Sequence, residues 1–277
     1  MLVRLATGLV LAPVVTGLIL YGPKAAMLAV LGAAAARCTV ELLRMYPAIR
    51  PRDRIAAAFF AGCIALSPLL GADFVWTVFG LSVVCYLSLV LFRTEDVALA
   101  SQRAALGLLS FGYIALLIAA LVGLFVQPQM PTATATGFAA GPYDVGRGAL
   151  LTVFLVVFLG DTGAFFAGKF LGKNKLFELV SPKKTVEGAI GGLVASIGGG
   201  VLSAWLLLPM FSVIEGALVG AACGAVGQIG DLVESLFKRA TNTKDSGNLL
   251  PGHGGLLDRV DGVLFAAPVL HAWLAFR

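Results

Sequence analysis

Long apolar stretches decide what this chain can fold into. Each is about twenty residues long, enough for a helix to cross the roughly 30 Å hydrocarbon core of a bilayer, and a helix satisfies its own backbone hydrogen bonds there. Only 13% of the residues are charged, whereas soluble domains have about a quarter. We therefore predict an all-α, polytopic integral membrane protein. About nine transmembrane helices are expected, at residues 3–21, 25–43, 55–70, 74–92, 104–126, 148–168, 187–208, 213–234 and 260–276.

The basic residues predict the orientation of these helices, because Lys and Arg collect in cytoplasmic loops. With the N-terminus cytoplasmic and the C-terminus external, all of the 20 Lys and Arg residues except Lys24, Arg147 and Arg277 lie on the cytoplasmic side. This bias accounts for the net charge of +5, so no nucleic-acid partner is implied.

Two basic groups precede the polar half of the chain. We expect the groups Arg37–Arg54 and Arg93–Arg103 to fix the topology and to contact the lipid surface. On the second helix, Glu41 and Arg44 are spaced for an i,i+3 ion pair, which we prefer to a catalytic role for Glu41.

The segment 127–147 divides the chain, since it is rich in Pro, Gly, Thr and Ala and nearly uncharged. We predict that it is an external loop. Residues 1–126 would form an N-terminal scaffold of about five helices. Residues 148–277 would form a catalytic region of about four helices, with cytoplasmic loops at 169–186 and 235–259.

The most polar part of the chain is SLFKRATNTKDSGNLLPGHGGLLDRVD, residues 235–261. Basic side chains neutralise a polyphosphate, and glycines let backbone N–H groups approach it closely. Aspartates beside phosphate indicate a bridging divalent cation, and Mg²⁺ is favoured because it prefers carboxylate and phosphate oxygens. The segment therefore predicts a nucleotide site.

Carboxylates within the apolar stretches are candidates for the same site. Asp161 lies inside the sixth stretch, where an ionisable group usually faces a polar cavity or a partner. Its alternative role is an ion pair with Lys169 or Lys173.

The eighth helix places Asp231, Glu234, Ser235 and Lys238 on one face. Local Asp231–Ser235 and Glu234–Lys238 contacts would account for Glu234. Asp231 lies deeper, and we predict that it is a metal ligand.

The ninth helix should begin near Asp258, with Asp258 and Asp261 one turn apart. Both acids would suit a helix N-terminus as simple caps. Together with Asp231 they would instead form a cation site.

A second anion site is indicated before the seventh helix. Ser181 followed by Pro182 is typical of a helix start, and Lys183 and Lys184 beside free N–H groups would bind an anion. The alternative is that both lysines only determine topology.

The motifs of this region resemble those of the phosphatidate cytidylyltransferases, also called CDP-diacylglycerol synthases. The resemblance is carried by S-x-x-K-R from Ser235, K-D-S-G from Lys244, and P-G-H-G-G-x-x-D-R-x-D from Pro251. The elements D-T-x-A, G-K-x-K-L and S-P-K-K-T-x-E-G between residues 161 and 188 agree with it.

The resemblance implies a reaction. The phosphate of phosphatidic acid would attack the α-phosphorus of CTP, giving CDP-diacylglycerol and pyrophosphate with the help of Mg²⁺; a monovalent cation beside Mg²⁺ is left open. The topology predicted from the basic residues places these motifs at the cytoplasmic face of the cell membrane, and the resemblance implies, at the level of the family, a homodimer.

Residue chemistry and motifs together predict three sets of site residues. The metal ligands are Asp231, Asp258 and Asp261. The catalytic residues are Asp231, Asp258, Lys238, Arg239 and Lys244. The substrate-binding residues are Asp161, Ser181, Lys183, Lys184, Thr185, Ser235, Asp245, His253, Gly254, Gly255 and Arg259.

Two other functions remain open on the sequence. A membrane transporter would also carry intramembrane carboxylates, although no internal repeat is visible. A cytidylyltransferase acting on another lipid phosphate or a polyprenyl phosphate would carry the same nucleotide site.

Overall fold

The computed structural model describes residues 2–127, 144–249 and 254–277, with side chains from Ala12 onward. Most of the predicted loop 127–147 and His253 lie outside these residues. The described chain is almost entirely helical. Its helices are α1 (Leu2–Tyr21), α2 (Lys24–Arg44), α3 (Pro51–Leu66), α4 (Phe74–Phe92), α5 (Val97–Ser110), α6 (Leu116–Phe125), α7 (Val145–Leu171), α8 (Val186–Leu206), α9 (Val213–Ala240) and α10 (Leu257–Ala275).

Each predicted apolar stretch falls on a helix. The stretch 74–92 coincides with α4, whereas 104–126 is the second part of a longer helix in which a π-helical segment, Phe111–Ala115, joins α5 to α6. Among the described residues, seven helical segments are long and apolar enough to cross a membrane. The chain is therefore a multi-pass helical membrane protein, and the count of nine crossings stays a prediction.

The chain divides into two compact units. The first unit contains Met1–Gly123 and Ala240–Arg259, so the segment between α9 and α10, together with the start of α10, belongs with the N-terminal helices. In its core, α2 packs against α3, and aromatic and aliphatic side chains fill the space between neighbouring helices. The core residues are Leu43, Ile49, Ala57, Ala61, Ile64, Tyr86, Val90, Phe111 and Ala115.

Charged groups are also buried in the first unit. Arg103 is only 1% exposed, and its guanidinium group lies 3.4 Å from a carboxylate oxygen of Asp53 and donates to the hydroxyl of Thr94. The prediction that Arg103 contacts the lipid surface is therefore wrong. Arg103 instead pairs with the Asp53 carboxylate inside the helix bundle, because a buried charge requires a partner.

The second unit contains Leu124–Arg239 and Val260–Arg277. Its helices α7 and α8 have an extensive contact because small residues face each other: a Cβ added at Gly163 would lie 2.5 Å from the Cβ of Ala195. The contact of α8 with α9 is as close, since a Cβ at Gly200 would lie 2.0 Å from the carbonyl oxygen of Gly216. Glycine at such positions lets helix backbones approach in a membrane.

A short hairpin precedes α8. Strands β1 (Lys175–Phe177) and β2 (Ser181–Thr185) pair in antiparallel fashion. The prediction of a helix starting at Ser181 is therefore wrong. The helix begins at Val186, because Thr185 is its N-cap and accepts a hydrogen bond from the Gly188 N–H.

The hairpin is fastened to the start of α8 by one carboxylate. Glu187 accepts hydrogen bonds from the backbone N–H groups of Lys173 and Asn174 and from the Asn174 side chain. The backbone N–H of Val186 also donates to the carbonyl oxygen of Asn174. These contacts hold the lysines of the hairpin beside the helix end.

Candidate functional site

Three carboxylates meet in the second unit. Asp231 and Glu234 lie on α9, one turn apart, and Asp261 lies on α10. One carboxylate oxygen from each lies within 4.8 Å of the others. Asp161 and Asp231 both add negative charge that acts on Asp261. Carboxylate oxygens gathered this closely are the kind of donor set that fits a hard divalent cation.

Lysines border this carboxylate cluster (Asp231, Glu234 and Asp261). The Lys184 ammonium group lies 2.5 Å from Asp231, and the Lys238 ammonium group lies 2.5 Å from Glu234. The predicted local contact between Glu234 and Lys238 is thus confirmed. Because Lys184 lies on β2 and Asp231 on α9, the hairpin is joined electrostatically to the cluster.

Other predicted site residues of the second unit lie on the same two elements, α9 and the hairpin. Arg239 follows Lys238 at the end of α9, and its Nε donates to the carbonyl oxygen of Val180 in the hairpin turn. Ser235 is half-buried on α9, Lys183 is exposed on β2, and Ser181 begins that strand.

Asp161 occupies an exposed position on α7. Its charge acts on Asp261, so it belongs to the electrostatic surroundings of the carboxylate cluster. A substrate-binding role for Asp161 stays a prediction.

Asp258 lies in the first turn of α10, in the first unit. Its Oδ2 accepts hydrogen bonds from the backbone N–H and the hydroxyl of Ser246, both at 2.9 Å, and from the Gly255 N–H at 2.7 Å. Asp258 therefore ties the segment after α9 to the start of α10. Its role as a metal ligand stays a prediction.

The motif glycines fit against this carboxylate. Gly254 has a φ of +84°, a backbone conformation that residues with a side chain rarely adopt. A Cβ at this position would lie 2.8 Å from Asp258 Oδ2. Lys244, Asp245 and Arg259 are exposed, and substrate contacts for these residues stay predictions.

Glu41 contacts the C-terminal motif region although it is not part of any predicted motif. The prediction that it pairs with Arg44 is wrong: its Oε1 accepts from Arg37 Nε at 2.8 Å, and its Oε2 accepts from the backbone N–H of Leu257 at 2.9 Å. Glu234 was also missed as a member of the carboxylate cluster, although its spacing from Asp231 on one helix face was visible in the sequence.

The fold and the site define a class: a multi-pass helical membrane protein with a carboxylate cluster bordered by lysines. Within that class, the chain belongs to the cytidylyltransferase family, whose model matches residues 2–277.

Individual relatives match shorter stretches of the chain than the family model does. A phosphatidate cytidylyltransferase of Synechocystis sp. is 46% identical over 134 residues, which cover 48% of this chain and 45% of the relative. One from Staphylococcus haemolyticus is 46% identical over 134 residues, 45% of this chain and 48% of the relative. One from Staphylococcus aureus is 48% identical over 127 residues, which cover 45% of this chain and 48% of the relative. The chain spans about half the length of these curated relatives in the matched regions.

Proposed function

We propose that the chain is a CTP:phosphatidate cytidylyltransferase, which forms CDP-diacylglycerol and pyrophosphate from CTP and phosphatidic acid. The observation that carries the proposal is the carboxylate cluster bordered by Lys184 and Lys238 in a chain of the cytidylyltransferase family. The names of the relatives supply the acceptor lipid.

The proposed reaction needs no covalent intermediate on the protein. An oxygen of the lipid phosphate forms a bond to the α-phosphorus of CTP, and the bond from that phosphorus to the bridging oxygen of the β-phosphate breaks, releasing pyrophosphate. The phosphate monoester is already anionic near neutral pH, so little proton removal is required. Positioning and neutralisation of charge would account for most of the rate.

The residues of the chain divide this work. Lys184, Lys238 and Arg239 would bind the triphosphate. Lys244 and Arg259 are assigned to the same task by the resemblance of their motifs. Asp231, Glu234 and Asp261 would hold Mg²⁺, which neutralises phosphate charge when bound. Asp258 is assigned to the metal set by the resemblance of its motif.

The length of α9 supports a site at the edge of the bilayer. Its 28 residues make a helix about 42 Å long, longer than the roughly 30 Å hydrocarbon core. Asp231 is about 27 Å from the first residue at the same rise per residue. A helix that enters the core near Val213 therefore brings its carboxylates to the opposite boundary, where a lipid phosphate and aqueous CTP can meet.

The orientation is part of the proposal. We infer that the N-terminus and the site face the cytoplasm in the cell membrane, with the C-terminus outside and about nine crossings. Sealed inside-out vesicles would then use added CTP, whereas right-side-out vesicles would not. The resemblance also implies a homodimer, and light scattering of the purified protein would test this by measuring its molar mass.

The deciding experiment measures lipid product from radiolabelled CTP, Mg²⁺ and phosphatidic acid in detergent. We expect Asp231→Asn and Asp258→Asn each to lower the rate by about 100-fold or more, because several kcal/mol of charge stabilisation is removed. Omission of Mg²⁺ should have a similar effect. Asp73→Asn, which changes an exposed carboxylate between α3 and α4, is the matched control and should retain activity.

Other outcomes would point to the alternatives. A folded protein that binds CTP but makes no product from phosphatidic acid would have a different lipid acceptor. A folded protein that binds no nucleotide, yet supports uptake into proteoliposomes, would be a transporter.

A further inference from the structure

Glu41 lies more than 200 residues before the motif that it contacts. It is completely buried in α2, within the first unit, and its carboxylate is shared between two donors. Arg37 Nε donates to Oε1 from one turn earlier on the same helix, and the Leu257 N–H donates to Oε2 across a separation of 216 residues. The second contact joins the N-terminal helices to the first residue of α10.

The position of this contact explains why a carboxylate is buried here. The first N–H groups of a helix lack partners within that helix, and negative charge is favourable beside them. Glu41 supplies both an acceptor and a negative charge to α10 from another helix. Arg37 offsets the cost of burying the carboxylate, because a buried charge must be paired.

Two glycines of the motif leave space for the Glu41 side chain. A Cβ at Gly247 would lie 2.7 Å from Oε1, and a Cβ at Gly255 would lie 2.6 Å from Oε2. Either distance is too short for real atoms. The Gly255 N–H also donates to Asp258 Oδ2, so Glu41 and Asp258 hold neighbouring parts of the same turn.

We propose that Glu41, held by Arg37, is a positioning residue that fixes the first turn of α10 and therefore the Asp258 carboxylate. The inference rests on the proposed function for its effect on turnover. The contact with α10 can be tested without that function.

The first test measures hydrogen exchange of the full-length protein in detergent. We expect Glu41→Ala to speed exchange in peptides covering residues 244–249 and 254–259, because the acceptor for the Leu257 N–H is lost. Peptides of α5, in the same unit, should be unchanged. Glu41→Gln retains an oxygen acceptor and should recover most of the protection.

The second test measures turnover of folded, monodisperse protein with CTP, phosphatidic acid and varied Mg²⁺. We expect Glu41→Ala to lower turnover by about 10- to 100-fold, the factor that hydrogen bonds to a charged group are worth. The Mg²⁺ concentration for half-maximal activity should rise as well. A smaller folded fraction would lower the rate but leave that concentration unchanged.

Arg37→Gln is a milder variant in case Glu41→Ala does not fold. It leaves Glu41 in place without its guanidinium partner, and we expect turnover to fall by about three- to tenfold. Arg44→Gln is its matched control, since Arg44 is an exposed arginine on the same helix, about one turn after Glu41. Its turnover should equal that of the wild type.

Two results would overturn the proposal. One is unchanged exchange at residues 254–259 in both Glu41→Ala and Arg37→Gln. The other is faster exchange there with wild-type turnover and wild-type Mg²⁺ dependence. A wild-type protein that makes no CDP-diacylglycerol would instead refute the proposed function, and the exchange data alone would then decide whether Glu41 fixes the start of α10.

Discussion

Gly200 offers a direct test of how closely α8 and α9 approach. A Cβ added at this position would lie 2.0 Å from the carbonyl oxygen of Gly216 and 2.7 Å from the Cα of Gly220. Both atoms belong to the backbone, so no side chain can rotate away. Gly198 lies two residues earlier on α8, and within the described part of the chain no other atom lies within 4 Å of a Cβ added there.

The size of the effect follows from these distances. An ordinary contact begins at 3.4 Å, so Gly200→Ala must separate the helices by about 1.4 Å, and a gap of even 0.5–1 Å loses a quarter to a half of the contact energy between facing atoms. Overpacking of this kind costs about 1–3 kcal/mol, or more. Alanine also stabilises a helix by about 1 kcal/mol relative to glycine, but Gly198→Ala gains the same amount. The difference between the two variants therefore isolates the clash.

The assay is equilibrium unfolding in mixed micelles with increasing denaturing detergent, with helix content as the signal. We expect the free energy of unfolding of Gly200→Ala to be about 1–3 kcal/mol lower than that of Gly198→Ala. Equal stability of the two variants would show that α8 and α9 are not in backbone contact at Gly200, and the reasoning would fail.

Two further predictions concern charged side chains. Glu234→Gln keeps the shape of the side chain but removes one charge from the carboxylate cluster, so we expect the Mg²⁺ concentration for half-maximal activity to rise about tenfold; Glu178→Gln, on the exposed hairpin turn, should not change it. Arg103→Met leaves the Asp53 carboxylate buried without its guanidinium partner and should destabilise the protein by about 3–5 kcal/mol, seen as loss of monodisperse protein. Adding Asp53→Asn should restore much of the yield. Arg93→Met, at an exposed position, is the control. If the Arg103→Met protein were as stable as this control, the buried ion pair of Arg103 with Asp53 would be contradicted.

The sequence predicts helix positions well where the helix is apolar throughout. The stretch 74–92 coincides with α4 because every turn of that helix is apolar. The predicted crossing ends at residue 234, six residues before the end of α9 at Ala240, although the shared face of Asp231, Ser235 and Lys238 already predicted that the helix continues beyond it. The last six residues include Ser235, Lys238 and Arg239, which resemble a loop by hydropathy although they continue the helix.

Local spacing predicts local contacts but not their combination. The i,i+4 spacing of Glu234 and Lys238 predicted their ion pair, and Asp231 and Asp261 were both recognised as candidate ligands. No periodic pattern could show that Glu234 joins them, because that depends on how α10 packs against α9. The contact between Glu41 and Leu257 is harder still, since no local signal links residues 216 positions apart.

The lysine pairs of the carboxylate cluster have a thermodynamic consequence. Lys184 and Lys238 neutralise Asp231 and Glu234 from within the chain. Under the proposed function, a divalent cation that takes these carboxylates as ligands would release two ammonium groups, and an incoming triphosphate would accept both. Each ligand would thus remove a competitor for the other. The factor by which the cation tightens nucleotide binding would then equal the factor by which the nucleotide tightens cation binding.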